Sequence, residues 1–158
     1  MEVLKMDKEK KSEKKPFSVP EITDKEELAE IEKIASSLDN DEKVLFVVKR
    51  MPELSVSGVI FATNKRIIMT SPGMVYGFSY EQLADVKLTM ESYSYTLVIK
   101  IRNGSYPDQT TLALTKKMTE IHGTVEWKED KGFIKGIPRN KGESLFKVVQ
   151  YGISEAKI

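Results

Sequence analysis

The turn Thr63-Asn-Lys-Arg66 lies between two short apolar runs, residues 59–62 and 67–69, and nothing else in the chain restricts its fold as strongly. Asn tolerates a left-handed backbone, so Asn64-Lys65 reads as a two-residue hairpin loop. Both arms are rich in β-branched and aromatic residues, and the turn signals leave little room for a helix. The spacing predicts a central β-hairpin, buried on most of its surface.

Further strands follow from the same reading. Residues 44–48 form an apolar run between charges, and Ser71-Pro-Gly73 is a turn. A strand over 75–80 contains Gly77, which permits a bulge or a close backbone approach. Residues 81–85 read as one helical turn at a corner. Val86, Leu88 and Met90 share one face of the next strand, and Tyr95, Leu97, Ile99 and Ile101 alternate with Thr96, Lys100 and Arg102. After loop signals at Asn103-Gly104 and Pro107-Asp108, Leu112 and Leu114 supply another inward face. Seven short strands predict a small antiparallel barrel or sandwich. Residues 117–138 predict an additional hairpin turning at 129–132, with Phe133 to Pro138 returning.

Two helices flank the strands. Thr23-Asp-Lys-Glu26 has capping-box spacing, and Leu28, Ile31, Ala35 and Leu38 form an apolar stripe over the acidic segment 21–40. Such a stripe packs on its own domain or binds a partner helix-in-groove. At the other end Asn140 caps a helix over about 141–156, with Glu143 three residues on. Its face of Leu145, Val148, Val149, Gly152, Ile153 and Ala156 closes an open end of the strands. The expected organisation is a charged disordered tail over 1–20, the acidic helix over 21–40 and one domain over 41–158.

With no cysteine among 158 residues there is no disulfide framework, thiol nucleophile or Cys-based metal site, and a cytoplasmic protein is expected. No run approaches the ~20 apolar residues that span a bilayer. The net charge of +1 is unevenly spread. Residues 1–16 carry six Lys against four acids, residues 21–42 nine acids against two Lys, and residues 43–158 seventeen Lys and Arg against eleven acids. An acidic segment before a basic domain suggests intramolecular cover or attraction to an anionic partner.

Asp41-Glu-Lys-Val-Leu-Phe46, Gly58-Val-Ile-Phe-Ala-Thr-Asn-Lys-Arg-Ile-Ile-Met69 and Phe78-Ser-Tyr-Glu-Gln-Leu-Ala-Asp-Val86 together resemble the bacterial pleckstrin-homology-like family, particularly its YokE-like branch. The resemblance covers about residues 40–115, and the final helix fits it by position. It implies a seven-stranded barrel or sandwich with a capping helix, acting as a binding module rather than an enzyme. It names no ligand.

The residues themselves offer little catalysis. His122 is the one histidine, and no serine elbow, phosphate-cradling loop or metal spacing accompanies it. Neither a cofactor nor a small-molecule substrate is expected. Protein association is the preferred reading, because sheet edges invite strand addition and Trp127, Phe133 and Ile137 in the extra hairpin either finish the core or present an apolar contact patch. The second reading is an anionic membrane surface. Lys49 and Arg50, Arg102, and the apolar side chains Met51, Leu54, Met74 and Tyr106 would then surround one open end of the barrel. Nucleic acid is disfavoured, since the basic residues are dispersed and no aromatic platform is evident.

Overall fold

The turn at 63–66 forms where the sequence places it. In the computed structural model, which describes residues 21–51, 58–71, 74–102 and 125–156, strands β2 (Val59–Thr63) and β3 (Arg66–Ser71) pair antiparallel. Phe61 stands opposite Ile68 and Ala62 opposite Ile67, so Asn64 and Lys65 make up the loop. Asn64 does not use the left-handed conformation: the positive φ among described non-glycine residues belongs to Glu129, at 56°. Asn64 works through its side chain instead. Its Oδ1 accepts from the Lys43 N–H at 2.7 Å and its Nδ2 donates to Asp41 O at 3.1 Å, pinning residues 41–43 to the turn.

Two four-stranded antiparallel sheets result. The first has the order β1 (Val44–Lys49), β2, β3, β4 (Met74–Ser79). The second has β5 (Leu83–Met90), β6 (Ser94–Ile101), β8 (Lys131–Pro138), β7 (Glu126–Lys128). The expected strand around Leu112 and Leu114, the tail 1–20, and His122 lie outside the described residues. The hairpin predicted within 117–138 is present as β7 and β8. It is not an appendage to a complete sheet, because β8 pairs directly with β6.

The single helical turn Tyr80–Gln82 carries the chain from one sheet to the other. Ser79 and Gln82 cap it reciprocally. The Tyr80 hydroxyl donates to Thr63 O at 2.7 Å and its N–H donates to Lys65 O at 3.1 Å, so the corner is tied to the hairpin turn. On the opposite side the Met51 N–H donates to Gly136 O at 2.9 Å, linking the end of β1 to β8. Gly136 has φ 75°, a conformation costly for any residue with a Cβ. Gly77 fulfils its expectation of close approach: a Cβ there would lie 2.2 Å from Ile67 O.

The main core lies between the sheets and under helix α2 (Arg139–Ala156). Ile60, Ala62, Ile67 and Met69 from the first sheet meet Leu97, Ile99 and Ile134 from the second, with Leu145, Val149 and Ile153 of α2 above them. The helix begins one residue before Asn140, which therefore sits in its first turn rather than flanking it. Of its predicted face Leu145, Val148, Val149 and Ile153 are buried, Gly152 and Ala156 are half-buried, and Gly142 is buried as well.

The first sheet has a second core on its other face. Helix α1 (Lys25–Ile34) and the following turn Ala35–Ser37 place Ile34, at 2% exposure, against Val44, Val47, Val59, Phe61 and Ile68. Ile22, Ile31 and Leu38 complete this layer, while Leu28 and Ala35 of the predicted stripe stay exposed. Burying one such aliphatic side chain contributes ~1.5–3 kcal/mol. Two-sided burial explains why residues 59–62 and 67–69 are apolar without alternation, as in strands covered on both faces. The N-cap of α1 is Asp24, one residue later than expected; its Oδ2 accepts from the Glu27 N–H at 3.0 Å.

Candidate interaction surface

Acidic residues of the segment around α1 serve the barrel. Glu26 pairs with Lys49 at 3.2 Å, Glu27 with Lys141 at 3.1 Å, and Lys65 reaches Asp41 at 2.6 Å and Asp39 at 3.4 Å. Glu42 is the most buried of them. Its carboxylate accepts from Arg66 Nε and Nη2, both at 2.9 Å, and from Thr63 Oγ1 at 2.7 Å. Burial alone would raise its pKa. The Arg66 and Thr63 hydrogen bonds outweigh that and hold it at about 2. Intramolecular cover is thus the observed use of this acidic segment.

The cations expected at one open end are not gathered there. Arg50 is 4% exposed, and its Nε donates to Lys135 O at 2.8 Å, beside the Met51 link to Gly136. It fastens β1 to β8 and is not available to a headgroup. Lys49 is exposed and paired with Glu26, which keeps its pKa above the ordinary value. The Arg102 N–H donates to Gln82 O at 2.7 Å, in the corner at the hairpin-turn end of the first sheet. Lys49 and Arg50 close β1 at the far end, a strand length of roughly 16–20 Å away. Met74 begins β4, and nothing is described of its side chain; Tyr106 and Leu54 lie outside the described residues.

The three hairpin residues also divide. Ile137 is fully buried in the main core, so it completes the core and presents no patch. Trp127 takes its place in β7 opposite Gly132, and its side chain lies outside the description. Phe133 is half-buried on the other face of β8, opposite Val98 on one side and Glu126 on the other.

That face is the outer surface of the second sheet. Strand alternation left it polar, and no described helix covers it as α1 covers the first sheet. Val98 and Phe133 form its apolar centre. The row beside them reads Asp85, Lys100, Lys131, Lys128 across β5, β6, β8 and β7. Lys87 stands opposite Val98, and Lys135 pairs with Glu126 at 2.8 Å. The sequence showed each lysine but not the row, which exists only through cross-strand register.

Among the described residues no cluster of three His, Cys, Asp or Glu has metal-binding geometry, and no helix is long and apolar enough to cross a membrane. Two clefts of about 540 and 640 Å³ lie along α1. They are lined by acids and lysines, among them the Glu26–Lys49 and Glu27–Lys141 pairs, and by apolar side chains including Phe46.

A two-sheet sandwich closed by a C-terminal helix, with a polar outer face and a corner built on a buried tyrosine, defines a pleckstrin-homology-like domain. The family model described as the bacterial PH domain matches residues 38–119, more than half of the chain, and the protein belongs to that family. No curated protein matches the sequence.

Proposed function

We propose that this protein is a non-catalytic interaction module that works through protein contacts on the outer face of its second sheet. The observation that carries the reading is Phe133, held half-buried beside Val98 on a face no described element covers. An aromatic side chain in such a setting suits an interface anchor. Self-association is one form the contact takes, and the edge strands β5 and β7 of the same sheet extend the available surface. Within the family, the Thr63-Asn-Lys-Arg66 hairpin followed by Tyr80-Glu-Gln-Leu83 supports a place in the YokE-like branch. The absence of cysteine from the sequence supports a reducing, cytoplasmic setting, which cell fractionation checks.

Membrane attachment through the open end receives less support, since Arg50 is committed to β8 and Arg102 stands at the other end of the first sheet. Light scattering over a concentration series, paired with affinity capture by the wild-type protein and Phe133→Asp, tests the reading. Reduced association or capture by the variant is expected. A strict monomer that captures no protein overturns the reading, and sedimentation with anionic but not neutral vesicles, lost in Lys49→Glu, favours a membrane role instead.

A further inference from the structure

The lysine row is costly by its own geometry. Cross-strand register puts Lys131 directly opposite Lys100 on one side and Lys128 on the other. Like charges in directly paired positions weaken a sheet. Six described cations, Lys33, Lys49, Lys65, Arg66, Lys135 and Lys141, have carboxylate partners, while Lys25, Lys43, Lys87 and Lys147 are dispersed and have none among the described residues. Lys100, Lys128 and Lys131 are exposed and make no ion pair with any described residue. Nearby acids are Asp85 at the end of the row, Glu126 already held by Lys135, and Glu129 and Asp130 in the turn beyond Lys128. Folding thus retains an unmatched positive stripe next to an apolar floor.

We propose that this stripe docks an acidic polypeptide segment that carries an apolar side chain for the Val98–Phe133 floor. The proposal names the partner class for the surface described above and rests on that reading. Charge complementarity calls for carboxylates along the stripe. A depression of about 110 Å³ lined by Val86, Lys87, Val98, Lys100 and Lys131, with the Asp85 carboxylate also in its lining, lies beside the floor on the β5 side and receives the apolar group. The floor excludes other polyanions. A bilayer needs apolar side chains that protrude past the cations, whereas Val98 and Phe133 lie in the sheet beneath longer lysines. A single-stranded nucleic acid needs several exposed aromatics for stacking, and Phe133 is the one aromatic described on this face.

The test is fluorescence anisotropy with a labelled peptide of alternating Glu and Leu, at low and raised ionic strength. Saturable binding is expected, weakening as salt rises and falling at least tenfold in Lys131→Glu. Lys49→Glu, on the first sheet, leaves it unchanged. Lys131→Glu replaces an exposed residue, and a thermal melt confirms that it folds. Binding that is absent at low salt, insensitive to Lys131→Glu, or weaker than that of a thymidine oligonucleotide or a phosphatidylserine vesicle overturns the proposal. If Phe133→Asp abolishes protein capture while Lys131→Glu leaves it intact, the protein-contact reading stands and the acidic-segment proposal falls.

Discussion

Gly152 of the closing helix faces the Tyr80 ring so closely that a Cβ there would lie 2.4 Å from the ring carbon Cε2. The ring cannot withdraw, because the Tyr80 hydroxyl is bonded to Thr63 O and the residue is 2% exposed. Burial also pushes its phenol pKa up, keeping the donor protonated. Gly→Ala within a helix ordinarily gains about 1 kcal/mol. Overpacking costs ~1–3 kcal/mol, so the clash wins here. Gly152→Ala is expected to destabilise the fold by up to about 2 kcal/mol in urea denaturation. Gly142→Ala meets the Tyr95 ring at 2.1 Å, but Tyr95 is half-buried and can turn toward solvent, so its loss is expected to be smaller.

Acid sensitivity should follow Glu42. Its folded pKa of about 2 lies below the ordinary 4.5. A depressed carboxylate contributes stability that is fully present above its unfolded pKa and is lost as pH falls through the folded one. The window is therefore pH 4.5 down to 2, and the contribution is about 3 kcal/mol. Asp41, lowered by its bond to Lys65, acts in the same direction. Denaturation midpoints at pH 7, 4 and 3 should drop for the wild type. Glu42→Gln should start lower at pH 7 and vary less, and a variant as acid-sensitive as the wild type would refute the assignment.

Arg50 should behave as a structural residue. Arg50→Met removes its bond to Lys135 O and is expected to cost about 2 kcal/mol, as for a charged hydrogen bond. Vesicle sedimentation well below the melting temperature should not change. A stable variant that loses vesicle binding would return Arg50 to a ligand role.

Lys131→Glu should stabilise the protein it is expected to silence. Glu at this position would face Lys100 and Lys128, converting repulsion into two attractive cross-strand pairs. The expected gain is roughly 0.5–1 kcal/mol, a rise in melting temperature of ~1–3 °C. A fall in calorimetric melting temperature would show that the row is not under electrostatic tension.

Local pattern was legible where one face of one element decided it. Alternation in 95–101 marked Tyr95, Leu97, Ile99 and Ile101 as the inward set; the last three are buried and Tyr95 half-buried, while Thr96 of the opposite set is buried too. The loop at Asn64-Lys65 was likewise readable, though the asparagine acts through its amide and not its backbone freedom. The cap of α1 moved from Thr23 to Asp24 because both residue types accept a backbone N–H well, and composition cannot choose between adjacent candidates. Arg50 was misread because its partner is 85 residues away, on a strand shaped by the left-handed Gly136. Whether Ile137 finished the core or faced outward stayed open in the sequence for the same reason: only β8 joining β6 turns it inward. The lysine row depends on the pairing of four strands, with register shifts in β5–β6 and β6–β8, and no single stretch encodes that.

Helix α1 ends before residue 38, where the family match begins. A chain trimmed to the family boundary would therefore lose the lid over Val47, Phe61 and Ile68 and leave an oily strip facing water. Such a fragment should cling to itself and to dyes such as ANS, however well its strands form. What marks the ancestry of this domain is shorter than what keeps it presentable to solvent.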